Sequence, residues 1–116
     1  MSAHATAPAN FIVIASKADW DARLETAKAE GKACVVDFFA QWCGPCKMIA
    51  PLFEALSHEN PSIYFLKVDV DDVTAVAETC GVSAMPTFMV FKDGVKVDEL
   101  VGAAQDKLKL LVAKYK

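Results

Sequence analysis

The sequence has no long apolar run and no large excess of charge of either sign. Its apolar stretches are a handful of residues long, far short of the ~20 residues needed to cross a bilayer. The formal net charge is only −3 over 116 residues. We therefore expect no membrane-spanning helix, and no basic surface that would attract nucleic acid or anionic lipid.

The N-terminal segment MSAHATAPAN also lacks two features, the basic start and the apolar centre of a secretory signal. We expect residues 1–10 to form a flexible tail in which His4 is solvated. Residues 11–116 are then enough for one domain with a real core. Without a visible export signal, we expect the protein to be cytoplasmic.

Cysteines are few, at positions 34, 43, 46 and 80. In a reducing compartment, the close pair Cys43 and Cys46 indicates a redox or metal-binding role rather than a structural one. Zinc normally takes four ligands, and the sequence offers no second pair. A zinc half-site and a purely structural local disulfide stay open as alternatives. Cys34 and Cys80 are expected to be buried and inert, with a regulatory thiol at Cys80 as the alternative.

Hydrophobic patterning predicts the order β-α-β-α-β-α-β-β-α. Alternating strands and helices imply parallel strands, and a late hairpin through the KDG turn adds antiparallel ones. The predicted fold class is α/β, with a mixed central sheet flanked by helices on both faces.

Single residues predict where the helices begin, which side they bury and where they bend. Ser16 and Asp19 form a candidate capping box for the first helix, and Asp71 or Asp72 is a candidate cap for the third. Pro51 should kink the second helix. The buried stripe of that helix is predicted to contain Met48, Leu52, Ala55 and Leu56.

The pair in WCGPC lies at a predicted junction between a strand and a helix. Unpaired N–H groups and the helix dipole favour an anion there, so the thiolate form of Cys43 should be stabilised. Three residues later the helix returns Cys46 to the same side, within reach of a disulfide. Pro45 suits an early helix position, where its missing N–H would have no partner anyway.

Asp37 is an acid inside the otherwise apolar run KACVVDFFA. Burial disfavours a charged carboxylate, so its pKa should be raised. An acid with a pKa near the working pH is useful for moving protons. Strand alternation places Asp37 beneath the cysteine pair, where it could accept the Cys46 proton. The alternative is an acid satisfied by hydrogen bonds or by Lys67.

These motifs together, WCGPC with DFFA upstream and MPT downstream, resemble the thioredoxin family from about Phe11 to Tyr115. The resemblance implies a thioredoxin fold. It implies roles for five residues: Cys43 attacks, Cys46 resolves, Asp37 is the buried acid, Lys67 lies near it, and Pro86 is a cis proline facing the pair. An ordinary trans Pro86 is the alternative reading.

The resemblance also implies a flat apolar surface around the pair, made by Trp42, Gly44, Pro45, Met85, Val101, Gly102 and Ala103. A substrate segment would pair there with the backbone of Met85, as in strand addition. One departure is Phe39, because many relatives carry tryptophan at that position. The indole donor is lost, although an aromatic ring can still pack there.

The activity implied by the resemblance is that of a protein disulfide reductase. It needs no bound cofactor and no metal. Its expected partners are disulfide-containing target proteins and an NADPH-dependent thioredoxin reductase, and the chain is expected to be a monomer. Two alternatives remain: a binding subunit without turnover, and a disulfide oxidase or isomerase. Oxidases and isomerases of this fold commonly place a histidine between the cysteines, and here Gly44 and Pro45 stand there.

Overall fold

The structure, a computed structural model, describes residues 7–116. His4 and most of the predicted tail lie outside the described residues. The element order confirms the predicted pattern: β1 (Phe11–Val13), α1 (Lys17–Glu30), β2 (Cys34–Phe39), α2 (Gly44–Glu59), β3 (Tyr64–Asp69), α3 (Thr74–Thr79), β4 (Thr87–Lys92), β5 (Val95–Val101) and α4 (Gln105–Ala113).

The five strands form one mixed sheet in the order β1-β3-β2-β4-β5. The pairs β1–β3 and β2–β3 are parallel, whereas β2–β4 and β4–β5 are antiparallel. The mixed sheet was predicted, and the hairpin turn was predicted at its position: Asp93 and Gly94 both have positive φ, at 55° and 79°. β2 lies in the middle of the sheet, which explains its nearly continuous burial.

Each face of the sheet packs on its own helices. One core joins α1 and α3 to the sheet through side chains that include Trp20, Val76, Val36 and Phe38. The other joins α2 and α4 through side chains that include Val35, Ile49, Phe53, Phe65 and Leu108. Because side chains alternate along a strand, this division also assigns a face to each polar residue of β2 and β3.

Helix α1 begins and ends where the sequence predicts. The Asp19 backbone N–H donates to Ser16 Oγ at 3.0 Å, and Gly31 closes the helix in the left-handed region at φ 69°. The second hydrogen bond of the predicted capping box, which the Asp19 side chain accepts, has a different donor. Asp19 Oδ2 accepts from the Ala15 N–H at 2.9 Å rather than from the cap residue itself.

The stripe predicted for α2 was right at Leu56, which is buried, and in part at Leu52, which is partly buried against the core, but it was wrong at the other two positions. Met48 is 75% exposed, and Ala55 is also exposed. The buried side chains are instead those of Cys46, Ile49, Phe53, Leu56 and Ser57. The spacing of three, four and three residues from Cys46 to Leu56 defines one helix face, which lies roughly 100° around the helix from the centre of the predicted stripe.

The cap predicted for α3 was also wrong. Val73 is the cap residue, with no side-chain hydrogen bond, and the Asp71 side chain instead accepts a hydrogen bond from Trp42.

The kink predicted for α2 is a separate matter. Helix α2 continues through Pro51, so a kink there stays a prediction.

Asn10 was assigned to the flexible tail, but the structure buries it. Its side-chain amide Nδ2 lies 2.9, 3.1 and 2.8 Å from the carbonyl oxygens of Ser57, Asn60 and Ile63. These bonds fasten the segment before β1 to the end of α2. The tail boundary therefore lies before Asn10.

The remaining cysteines are packed into the core on the α1 side. Cys34 is buried and Cys80 is partly buried. Burial raises the pKa of the Cys34 thiol to about 12 and also raises that of Cys80, which Lys96 partly opposes. Both thiols are therefore poorly reactive near neutral pH. Over residues 7–116, no helix combines the length and apolarity required to cross a membrane.

Candidate functional site

Cys43 and Cys46 stand at the start of α2 and form a disulfide with a Cα–Cα distance of 5.2 Å. Cys43 is the N-cap residue, and the Cys46 backbone N–H points at Cys43 Sγ from 3.1 Å. A backbone donor at this position favours a negative charge on Cys43 Sγ when the disulfide is reduced. The local geometry therefore stabilises the nucleophilic form of Cys43.

The two sulfur-bearing residues differ in their neighbours rather than in their exposure, which is 4% for Cys43 and 3% for Cys46. Cys43 Sγ lies 3.7 Å from the carbonyl oxygen of Met85. The Met85–Pro86 bond is cis, as the resemblance implied. Cys46 instead lines a cavity on the inner side of the pair. The pair thus has one member beside the Met85 segment and one that lines a cavity shared with Lys67.

Asp37 is completely buried in the middle of β2. Its neighbour Val35 belongs to the core on the α2 side, and alternation places Asp37 on the same face. That face carries Cys46. Burial raises the pKa of the Asp37 carboxyl to about 7, against a smaller lowering by the positive charge of Lys67. A carboxyl with such a pKa exchanges protons near neutral pH.

The alternative of a hydrogen-bonded Asp37 is not what the structure shows. Neither carboxylate oxygen is hydrogen-bonded by any group within residues 7–116. In register with Asp37 are Lys67 on β3 and Phe88 on β4. Lys67 therefore acts on Asp37 through its charge and not through a hydrogen bond.

A cavity of about 350 Å³ is lined by both Cys46 and Lys67. Its lining residues come from β1, β2, β3, α2 and the loop between β2 and α2: Val13, Phe39, Ala40, Gln41, Cys46, Lys47, Ala50 and Lys67. Lys67 Nζ lies 4.4 Å from the centroid of the Phe39 ring. Lys67 is the link in this arrangement, since it is in register with Asp37 and lines the same cavity as Cys46.

The residues predicted to form the recognition surface surround Cys43. Trp42 is 68% exposed and Val101 is 55% exposed. Gly44 and Pro45 are also exposed, whereas Met85, Gly102 and Ala103 are partly buried and Pro86 is buried. The Gly102 N–H donates to the Pro86 carbonyl oxygen at 2.9 Å, which ties the end of β5 to the Met85–Pro86 segment.

Sequence reasoning missed Asp71 as a site residue. Its Oδ2 accepts a hydrogen bond from the indole Nε1–H of Trp42 at 3.0 Å. Nearby, Gln41 Nε2 donates to Asp69 Oδ2 at 3.1 Å. Asp69 is the last residue of β3 and Asp71 follows it, on the same sheet edge as the loop that carries Trp42. That shared edge was the available signal, but the sequence suggested a helix cap instead.

The structure gives the zinc alternative no further ligands. Within residues 7–116, no three or more histidine, cysteine or acidic side chains cluster as metal ligands would. The two close cysteines are bonded to each other. The arrangement is suited to dithiol–disulfide exchange, because a cysteine pair at bonding distance starts a helix and a buried carboxyl with a raised pKa lies on the same side of the sheet.

Comparison with known proteins agrees with this chemistry. The family model described as thioredoxin matches residues 11–114. An H-type thioredoxin of Chlamydomonas reinhardtii is 68% identical over 107 residues, covering 91% of this chain and 95% of that protein. Thioredoxin 1 of Plasmodium falciparum is 44% identical, covering 89% and 95%.

Solved structures show the same likeness. A thioredoxin from Nicotiana alata superposes with a TM-score of 0.88 at 39% identity, covering 97% of each chain. The thioredoxin of Fasciola hepatica gives 0.85 at 47% identity, covering 90% of this chain and 98% of that one. The chain therefore belongs to the thioredoxin family and is a protein disulfide reductase that works by dithiol–disulfide exchange.

Proposed function

We propose that Cys43 is the residue that attacks a target disulfide and that Cys46 resolves the product. The observation that carries this assignment is the Cys46 N–H, 3.1 Å from Cys43 Sγ at the start of a 16-residue helix. The Cys43 thiolate attacks one target sulfur, the target disulfide breaks, and the other target sulfur leaves as a thiolate. A mixed disulfide between Cys43 and the target results.

The second step uses the inner side of the site. Cys46 loses its proton to Asp37, and its thiolate attacks Cys43 Sγ. The mixed disulfide breaks, the target leaves with two reduced sulfurs, and the Cys43–Cys46 disulfide forms. Asp37 is suited to this role because burial raises its pKa to about 7, so it is partly ionised at neutral pH.

Target proteins bind, in this proposal, on the surface formed by Trp42, Gly44, Pro45, Met85, Val101, Gly102 and Ala103. The exposed ring of Trp42, held by Asp71, offers a rigid apolar contact. The Met85 carbonyl beside Cys43 lies where an extended target segment would pair with the backbone.

The proposal also covers the electron donor, the oligomeric state and the location in the cell. An NADPH-dependent thioredoxin reductase would regenerate the dithiol, and the chain would act as a monomer in the cytoplasm. Turnover with purified reductases, sedimentation of the reduced chain and imaging of a tagged full chain test these three points separately.

The deciding experiment is turnover of insulin disulfides with NADPH and a thioredoxin reductase. Cys43→Ser and Cys46→Ser should each fall below about 1% of the wild-type rate, because the two thiols act as a unit. Cys80→Ser, a matched control outside the site, should keep the full rate. Undiminished turnover by Cys46→Ser would contradict the two-thiol mechanism.

A redox titration against glutathione separates the reductase from an oxidase or isomerase. A potential near the ~−270 mV of thioredoxin supports the reductase. A potential near the ~−120 mV of a strong oxidant would contradict it.

A further inference from the structure

Phe39 is the one aromatic ring that lines the cavity beneath the cysteine pair. Lys67 Nζ sits 4.4 Å from its centroid, well within the distance for a cation–π contact. We propose that Phe39 is a positioning residue that holds the Lys67 ammonium beside Asp37, an inference that rests on the proton-acceptor role proposed for Asp37.

Strand geometry brings the three side chains to one face. Val35 on β2 and Phe65 on β3 both belong to the core on the α2 side. Two-residue alternation then places Asp37, Phe39 and Lys67 on that same face. Asp37 and Lys67 are also direct neighbours across β2 and β3.

The Lys67 ammonium, whose charge acts on Asp37, lies over the Phe39 ring and is not hydrogen-bonded to the carboxylate. Neither Asp37 oxygen is hydrogen-bonded by a group of residues 7–116, and the charge of Lys67 opposes the rise in the Asp37 pKa that burial causes. The size of this lowering of the Asp37 pKa depends on the distance between the Lys67 ammonium and the carboxyl. Phe39 therefore affects the field at Asp37 through the position of Lys67.

The other charged or titratable groups around this cavity are few. Helix α2 contributes Lys47 and the Cys46 thiol, while β1 contributes the apolar Val13. Asp69 on β3 already accepts from Gln41 Nε2 and from the Asp71 N–H. On β4, the residue opposite Asp37 is the apolar Phe88. Lys67 is thus the cation whose position the Phe39 ring controls.

Removing the ring should release Lys67 towards water rather than towards Asp37. An ammonium group is strongly hydrated, and pairing it with a buried carboxylate requires both to lose water. Phe39→Leu should therefore weaken the attraction at Asp37 and raise its pKa. Phe39→Trp keeps an aromatic face and should preserve the wild-type value.

The experiment is an NMR titration of the Asp37 carboxyl carbon in the oxidised protein, where the Cys43–Cys46 disulfide does not titrate. Lys67→Met should raise the Asp37 pKa by about 1 unit, through loss of the nearby charge. Phe39→Leu should raise it by less, about 0.5 unit, because the ammonium moves away from Asp37 but keeps its charge. In the Lys67→Met background, Phe39→Leu should cause no further shift.

Three results would overturn the proposal. They are an unchanged Asp37 pKa in Phe39→Leu, a full shift from Phe39→Leu when Lys67 is already methionine, and a shift in Phe39→Trp as large as in Phe39→Leu. The second result would show that Phe39 acts only by packing against the site.

A measurement on the wild-type protein makes the test independent of how the variants fold. The ring current of Phe39 should move the Lys67 Hε resonances upfield, and ordinary lysine shifts there would contradict the contact. A separate experiment tests the proton-acceptor role proposed for Asp37. An unchanged pH profile of insulin reduction in Asp37→Asn would contradict that role, whatever the Phe39–Lys67 contact does.

Discussion

A fully buried carboxyl such as Asp37 makes folding depend on pH. Its pKa is about 7 in the folded protein, compared with an ordinary value of 3.8. The folded state therefore holds the proton more tightly than the unfolded state does. The contribution of Asp37 to the free energy of unfolding is therefore fully present below pH 4 and is lost as the pH rises through 7.

Asp37→Asn should remove this pH dependence. A shift of roughly three units corresponds to about 4 kcal/mol, so the free energy of unfolding of the variant, minus that of the wild type, should increase by up to about 4 kcal/mol between pH 4 and pH 8. Urea unfolding of the oxidised proteins at pH 4, 6 and 8 measures the difference. Glu25→Gln, which removes an exposed carboxylate, is the matched control and should show no such trend. A constant difference at all three pH values would contradict a raised Asp37 pKa.

At the residue scale, the sequence predicted the reactive residues better than the residues that contact them. An acid in an apolar run and a CxxC motif at a helix start are local patterns, so Asp37, Cys43 and Cys46 could be identified. Asp71 could not, because its bond to Trp42 joins residues 29 positions apart. The contact between Lys67 and Phe39 likewise depends on which strands are neighbours.

At the element scale, α1 is an independent test of the capping argument. Ser16→Ala should lower the free energy of unfolding by about 1 kcal/mol, because the Asp19 N–H loses its acceptor. Urea unfolding at neutral pH measures the loss. Ser16→Asp should restore most of it, and insulin turnover should not change in either variant. An unaffected Ser16→Ala would show that the cap adds no stability.

Elements with one dominant signal were predicted well, and elements with two competing signals were not. Ser16 and Gly31 bound α1, and the KDG turn defines the β4–β5 hairpin. In α2 apolar residues occur on more than one side, so spacing alone did not identify the buried stripe. Contact with the sheet decides in favour of Phe53, which packs against Phe65 and Phe88 with ring centroids 5.3 and 5.9 Å apart.

At the scale of the whole molecule, Asn10 joins the start of the domain to its middle. Asn10→Ala should lower the free energy of unfolding by about 2 kcal/mol, because the carbonyl oxygens of Ser57, Asn60 and Ile63 each lose a hydrogen bond from the Asn10 amide. Urea unfolding measures this. Asn10→Asp keeps the size but not the donor, so it should be at least as destabilising. Wild-type stability in Asn10→Asp would mean that shape, not hydrogen bonding, matters here.

The overall architecture was only partly available from local patterns. Alternating strands and helices predict a mixed sheet, but they do not give the order β1-β3-β2-β4-β5. Strand order depends on long-range packing, which the periodicity of single segments does not report. Strand order also matters for function, since it makes β3 the neighbour of β2 and so brings Lys67 beside Asp37.

The central claim is the division of labour between the two cysteines, and trapping of mixed disulfides tests it most directly. Reduced Cys46→Ser and Cys43→Ser proteins are each mixed with an oxidised target, and mass spectrometry identifies the linked residue. The account predicts a stable adduct through Cys43 in Cys46→Ser and almost none in Cys43→Ser. Abundant adducts through Cys46 in Cys43→Ser, with none through Cys43 in Cys46→Ser, would contradict it.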